Sequence, residues 1–338
     1  MSKNGTLAKT YAWFASRMTV QHFTLLAFII VICGVMNFFF PLFLTPLNIE
    51  TTLMNFFPEI IVAIGMTLVI ITGGIDISVA SVYAFSEIIV SKLLVEAGWG
   101  IVSASAAAVL LCCCIGFVNG YLSDLLDVHP MIVTMGTLLT LRGLNLAITD
   151  GKAVSGLSPA FESLGQGHVF GLPIPLIIAA ALAVVIGYLL NNHRFFRQLY
   201  FIGGSPKGAR VSGVNVRRVK VSVYILCAGL AGLAGVLGAS KYGAAHWGHG
   251  NLMEMKAIAA VAVGGANLNG GSGTVGATML GVVFLAIVNN AFVMSGANTF
   301  WYDVVNGGML VLAVAFSLFI TYRNEKAMIE QKVLAKAR

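Results

Sequence analysis

Residues 60–78 read Ile60-Ile61-Val62-Ala63-Ile64-Gly65-Met66-Thr67-Leu68-Val69-Ile70-Ile71-Thr72-Gly73-Gly74-Ile75-Asp76-Ile77-Ser78. No charge interrupts Ile60 to Ile75, a run that spans a bilayer once residues ahead of Glu59 are added. The glycine pair then breaks the helix before a second apolar stretch begins. The pattern extends in both directions, with uncharged runs at Met18 to Ile49, Ala97 to Ser123, Ser163 to His193, Val221 to Ser240, Ala257 to Tyr302 and Val304 to Tyr322. Of 338 residues, 58% are hydrophobic and 10% charged, and the mean hydropathy is +0.90. Soluble domains carry roughly 25% charged residues, so this chain cannot clothe a water-exposed surface. A soluble enzyme, a disulfide-rich secreted domain and a disordered regulator are excluded.

The expected fold is an all-α integral membrane protein with spans near 24–44, 53–72, 78–97, 101–122, 130–149, 172–192, 221–240, 256–267, 274–294 and 302–322. They form a single transmembrane domain over 1–338, with an N-terminal segment 1–23, a long loop at 193–220 and a tail at 323–338. Most prolines, such as Pro46, Pro130 and Pro173, fall at span edges, where a missing amide donor costs least. The five cysteines lie in apolar stretches without Cys-x-x-Cys spacing and read as small buried hydrophobes. The polar lead before the first apolar run argues against a cleaved signal peptide.

Orientation follows from the basic residues. Three precede the first span, seven lie between Arg194 and Lys220, and five follow Tyr322, so 15 of the 20 Lys and Arg residues share one side. The positive-inside rule makes that side cytoplasmic, with both termini. A membrane accounts for the net charge of +7 without nucleic acid.

A second glycine-rich break, Gly264-Gly265-Ala266-Asn267-Leu268-Asn269-Gly270-Gly271-Ser272-Gly273, matches the first. Each follows an apolar helix expected to begin at an Ala-Ile pair (Ala63-Ile64, Ala257-Ile258), a weak internal repeat with one copy per half. Interrupted segments at corresponding places in two halves point to a transport pathway, because freed backbone groups at membrane depth survive only against protein or a water-filled cavity. A tight turn between helices is the plain alternative.

Other polar residues carry specific expectations. Asp76 suits an N-cap of the third span rather than a proton relay, since no second acid lies close by in sequence. Arg142 stands about 18 Å along its helix from Pro130; it snorkels, pairs with an acid on another helix, or donates to a polar solute, in that order of structure before solute. Gly229, Gly232, Gly235 and Gly238 read as a surface for close helix packing. His246 and His249, three apart, suit an interfacial loop better than a metal site, so no metal is expected. In the basic loop, Ser205-Pro206 starts a helix of about two turns and Gly213 stops it. Such a short basic helix fits a groove on another protein, with anionic lipid as the alternative partner.

No Gly-x-x-x-x-Gly-Lys-Ser/Thr loop, His-Glu-x-x-His or Gly-x-Ser-x-Gly elbow occurs in the sequence. Catalytic residues and cofactors are therefore not expected in this chain, and ATP, if used, binds elsewhere.

Gly65-Met66-Thr67-Leu68-Val69-Ile70 with Gly73-Gly74-Ile75-Asp76-Ile77-Ser78, then Gly208-Ala209-Arg210-Val211-Ser212-Gly213-Val214, then Glu254-Met255-Lys256-Ala257-Ile258-Ala259-Ala260-Val261 with Gly264-Gly265 and Gly270-Gly271, resemble the permease subunits of bacterial monosaccharide ABC importers, the ribose, xylose, arabinose, galactose and autoinducer-2 group. The resemblance runs in order from about residue 50 to 322. It implies a type II-like permease in the bacterial inner membrane, paired with a second permease subunit as a homodimer or heterodimer. A periplasmic sugar-binding protein feeds it and a cytoplasmic ATP-binding cassette protein drives it. The coupling helix is then carried by Ser205, Gly208, Ala209, Arg210, Ser212 and Gly213. Two departures are mild: Ala80 where the family commonly has Gly, and Ile77 where Leu is frequent. A sugar needs only weak, scattered polar groups, and candidates for pathway or gate are Thr72, Gly73, Gly74, Asp76, Ser78, Asn119, Arg142, Gly264, Gly265, Asn289 and Asn290. The rival is a secondary transporter or channel driven by an ion gradient. That rival needs buried acids along a path, and Glu59, Asp76 and Glu87 form no spaced series on one helix.

Overall fold

The structure is a computed structural model that describes residues 20–296 together with 298, 301, 304, 307, 308, 311 and 315. The expected span at 302–322 and both terminal segments lie outside, or almost wholly outside, the described residues. In chain order the helices are α1 (Val20–Phe39), α2 (Pro46–Ile71), α3 (Val79–Val95), α4 (Ile101–Leu125), α5 (Pro130–Thr149), α6 (Pro159–Gln166), α7 (Ile174–Asn192), α8 (Arg194–Gly204), α9 (Pro206–Val211), α10 (Val216–Tyr242), α11 (Met253–Val263) and α12 (Val275–Met294). Among the described residues, α2, α4, α5, α7, α10 and α12 are long and apolar enough to cross a membrane.

Local chemistry sets most of the boundaries. Pro46 starts α2 behind Thr45, and Pro130 starts α5 behind His129, whose ring accepts the Met131 amide. The first span was expected to reach residue 44. It ends at Phe39 because Pro41 disfavours helix at the residue before it, and residues 41–44 form a turn. α2 was expected from residue 53, with its Ala-Ile pair at a helix start. It begins seven residues earlier, so Ala63-Ile64 sits mid-helix, and Pro58 lies inside the helix. Asp76 does not occupy the N-cap of α3, which is Ser78; instead one Asp76 carboxylate oxygen accepts both the amide and the hydroxyl of Ser78, at 3.0 and 2.6 Å.

α2, α3 and α10 form the buried centre, with α4, α5 and α7 around it showing large apolar side chains such as Val102, Leu139 and Val184 to the surroundings. The glycine stripe of α10 performs the expected close packing. Gly229 faces Cys113, Gly232 faces Cys112, Gly235 faces the Tyr83 carbonyl and Gly238 faces the Tyr83 hydroxyl, each too near for a Cβ. At the end of the bundle opposite α8 and α9, two short antiparallel ladders and α6 form a cap. Strands β1 (Val154–Ser155) and β4 (Ala244–Ala245) pair there, as do β2 (His168–Val169) and β3 (Leu172–Pro173). Buried Phe161 of α6 lies against α10, where the Ser240 hydroxyl donates to its carbonyl. The end carrying α8 and α9 is called the basic end below, and the other the cap end.

Candidate functional site

The basic loop is more ordered than its charge suggests. His193 caps α8 through the Phe195 amide, and Phe196, Leu199 and Ile202, three residues apart, bury one face while Arg194 and Arg197 stay exposed. Ser205, with extended backbone, stops α8 and caps α9 by accepting the Gly208 amide at 3.1 Å. Gly213, at φ +82, ends the turn, a conformation a side chain resists. Ala209 anchors α9 by burial; Lys207, Gly208, Arg210, Ser212 and Gly213 are exposed, and Val211 is 90% exposed. The two-turn helix expected from Ser205-Pro206 and Gly213 is thus present with that cap and that stop. α8 before it carries no strong start signal except His193 and the spacing of its three buried residues.

α8 ends on the two glycine breaks, and the breaks meet each other. The Gly271 amide donates to the Ile71 carbonyl at 2.9 Å, so the last turn of α2 is satisfied by the break of the other half. Gly73 (φ +79) lies against the Asn269 carbonyl and Gly270 (φ +95) against the Gly73 backbone. A Cβ on Gly203 of α8 has no room, because the Ile71 carbonyl oxygen and the Gly271 nitrogen occupy its place. The Tyr200 hydroxyl adds a bond to the Gly273 carbonyl at 2.8 Å. Backbone of both halves and of the basic loop therefore touches at one junction, two residues ahead of the Ser205 cap of α9.

The remaining pathway candidates fall into separate places. Asp76, Ser78 and Asn119 come together: the Asn119 amide donates to the Ser78 hydroxyl at 2.9 Å, and the Thr137 hydroxyl donates to the Asn119 carbonyl oxygen at 2.6 Å. Thr134, which accepts the Ile77 amide at 3.2 Å, and Thr137 are members that the sequence reading missed. Asn119 and Thr137 also line a cleft of about 610 Å³ between α4 and α5, otherwise mostly apolar. Thr72 turns back to the Val69 carbonyl of its own helix. Gly264 packs on the Ala277 backbone, where a Cβ has no space, and Gly265 (φ +94) makes the turn. Asn289 donates to Leu285 of its own helix, and it lies 15 residues beyond Thr274, about 22 Å along α12 from the junction; Asn290 follows it.

Arg142 is at the cap end. Its guanidinium donates to the Trp247 and His249 carbonyls at 2.8 and 2.9 Å, so it fastens the loop after β4 rather than reaching headgroups or a solute. His249 bonds the fully buried carboxylate of Glu87 at 2.7 Å, and that hydrogen bond raises the His249 pKa above the ordinary imidazole value. His246 accepts the Gly248 amide of its own loop. Among the described residues no three His, Cys, Asp or Glu side chains gather as a metal site. Lys256 and Glu59 pair at 3.6 Å in the same region. Glu59 and Glu87, far apart along the sequence, thus both lie at the cap end, beside Lys256 and His249 respectively, whereas Asp76 stays beside the first glycine break.

Residues 48–314 match the family described as "Branched-chain amino acid transport system / permease component". The chain is 37% identical to the ribose import permease protein RbsC of Bacillus subtilis, over 85% of this chain and 88% of that one. It is 31% identical to the D-allose transport system permease protein AlsC of Escherichia coli, over 88% and 91%. It is 32% identical to the galactose/methyl galactoside import permease protein MglC of Haemophilus influenzae, over 81% and 87%. No solved structure matches the chain significantly.

Proposed function

We infer the function of this chain from the family to which it belongs, that of the branched-chain amino acid transport system permease component, narrowed by relatives named for sugars: it is the multi-pass permease subunit of a monosaccharide importer. The ion-gradient alternative gives way to this reading.

The finer parts are our proposal. The basic end faces the cytoplasm of a bacterium whose inner membrane holds the chain, in keeping with the clustering of Lys and Arg on that side. Both termini lie there. A cytoplasmic ATP-binding cassette protein docks on α9, using exposed Gly208, Arg210, Ser212 and Gly213, while Ala209 ties α9 to the bundle. A second permease subunit completes the pathway, and a periplasmic sugar-binding protein delivers the solute.

The observation that carries this mechanism is the contact of Gly203 with both Ile71 and Gly271. α8 and α9 are joined through a single extended residue, so a displacement of α9 by its partner reaches the two glycine breaks through backbone alone. Close-packed contacts pass on such displacements because they cannot be compressed. Thr72, Gly73, Gly74, Gly264 and Gly265 then form the gate on the basic side, and Asp76, Ser78 and Asn119 brace it. Arg142 keeps a structural role, and Asn289 and Asn290 remain candidates for the pathway at the cap end.

The test is purification of the chain from its native membranes in mild detergent, followed by reconstitution with the proteins that accompany it. Stoichiometric recovery of an ATPase and ATP-dependent uptake of ribose, allose or galactose are expected. Solute movement by the chain alone under an ion gradient, with no ATPase recovered, overturns the reading.

A further inference from the structure

The hairpin of β2 and β3 turns at Phe170-Gly171, where both residues have positive φ, +53 and +78. A two-residue turn of this kind favours Asn-Gly or Asp-Gly, because a short polar side chain tolerates the left-handed backbone at its first position. That position instead holds a phenylalanine whose side chain is fully exposed, and Val169 and Leu172 beside it are exposed too. The element is held in place at its base. The His168 ring bonds Glu50 of α2 at 2.8 Å, and β3 runs into α7 at Ile174 without an intervening residue.

What such a tip meets follows from the surfaces it joins. The 19 residues of α7 measure about 28 Å and only just cross the ~30 Å hydrocarbon core, so Ile174 lies at the core's edge and the hairpin leads straight out of it. α7 exposes Val184, Val185 and Tyr188 to lipid, and the tip prolongs that surface. On the α2 side, Leu42, Leu44 and Leu47 are exposed although they stand nearer the cap end than Glu50. Lipid contact therefore reaches the height of the Glu50–His168 pair. The loop between α5 and β1, also at the cap end, is of the opposite kind and exposes Asp150 and Lys152. Charges there suit water, whereas the hairpin belongs to the uncharged run from Ser163 to His193.

We propose that the β2–β3 hairpin is a lipid anchor: Phe170, with Val169 and Leu172, sits among the headgroups and upper acyl chains of the leaflet on the cap side. Aromatic and aliphatic side chains gain by leaving water at that level, where the polar backbone of a turn still finds water. The pair of His168 with Glu50 aims the tip, and Pro173 and Pro175 stiffen its link to α7. The anchor fixes the depth of α7 at the end opposite the basic loop. It serves the chain as a membrane protein and does not depend on the importer reading.

Photo-crosslinking of the full chain in its native membranes tests this, with p-benzoylphenylalanine placed singly at Phe170, at Val184 as the lipid-facing reference and at Lys152 as the water-facing one. Intact mass after irradiation is read for adducts one phospholipid heavier, which phospholipase A2 shortens by one acyl chain. The phospholipid adduct at position 170 is expected within about threefold of that at 184 and at least about tenfold above that at 152. Because Phe170 is fully exposed, the added benzoyl group displaces nothing in the bundle and folding is not at issue. A yield at 170 closer to that at 152 than to that at 184 overturns the proposal. So does an adduct of position 170 with protein in place of lipid, whether a second permease copy or another subunit, which makes the hairpin a docking element.

Discussion

The carbonyl of Met54, which Pro58 four residues later cannot satisfy, accepts a hydrogen bond from Nζ of Lys241 at 2.8 Å. A proline inside a helix frees the carbonyl four residues back, and at membrane depth that carbonyl needs another donor. α10 supplies the donor through a lysine whose ammonium also reaches Asn55 at 3.0 Å. A proline is thereby tolerated inside the most buried of the long apolar spans among the described residues.

Lys241→Met leaves the Met54 carbonyl without its donor. A loss of about 1–3 kcal/mol is expected, read as a lowered unfolding temperature in detergent. Adding Pro58→Ala restores an amide that reaches Met54, so the double variant recovers part of the loss. Equal unfolding temperatures for wild type and Lys241→Met sink this account.

Gly203→Ala places a methyl where the Ile71 oxygen and the Gly271 nitrogen already sit. Overpacking of this kind costs about 1–3 kcal/mol, and sugar uptake is expected to fall severalfold with insertion unchanged. Gly204→Ala, with nothing near the added methyl, is the control and stays near wild type. Equal uptake in both variants removes the junction from the transport cycle.

Ser205→Ala removes the hydroxyl that accepts the Gly208 amide and weakens α9 by about 1 kcal/mol. Recruitment of the ATPase is expected to drop, and Ser205→Thr to restore it. Arg210→Glu reverses a charge on the exposed face and abolishes recruitment while the chain still inserts. Co-purification yield measures both effects, and normal yield from Arg210→Glu counts against α9 as the docking element.

The His249–Glu87 bond makes stability depend on pH. Because the hydrogen bond raises the folded-state pKa of His249, its contribution is fully present below the ordinary imidazole pKa near 6.5. The contribution is lost as pH climbs through the raised value. Unfolding temperature should therefore fall across that window in the wild type, and His249→Gln should flatten the fall. An unchanged profile in the variant assigns the pH dependence to another group.

Features governed by near neighbours were legible in the sequence. α9 follows from a serine, a proline and a glycine within nine residues, and α5 from an uncharged run behind Pro130. The glycine breaks at 73–74 and 264–273 were visible for the same reason, since glycines that are paired or clustered weaken a helix locally. α8 was less legible, because its buried residues are only three and its exposed residues carry the loop's charge. The partners of Arg142 were not legible, because Trp247 and His249 offer their carbonyls, which every residue possesses. Asn119 could be singled out as polar in an apolar span, but nothing marked Thr137 as its partner.

By itself the sequence determined that the chain lives in a bilayer, where some of its helices start or stop, such as α5 and α9, and where the glycine breaks fall, because hydrophobic length, capping and glycine act over a few residues. Only the tertiary structure decided that the two breaks satisfy each other through Ile71 and Gly271 and that Gly203 rests on both. It likewise decided that Glu59 of α2 and Glu87 of α3 share one end with Arg142, Lys241, His249 and Lys256. Those relations join residues up to some two hundred positions apart, and they rest on backbone groups and on space, neither of which residue identity encodes locally.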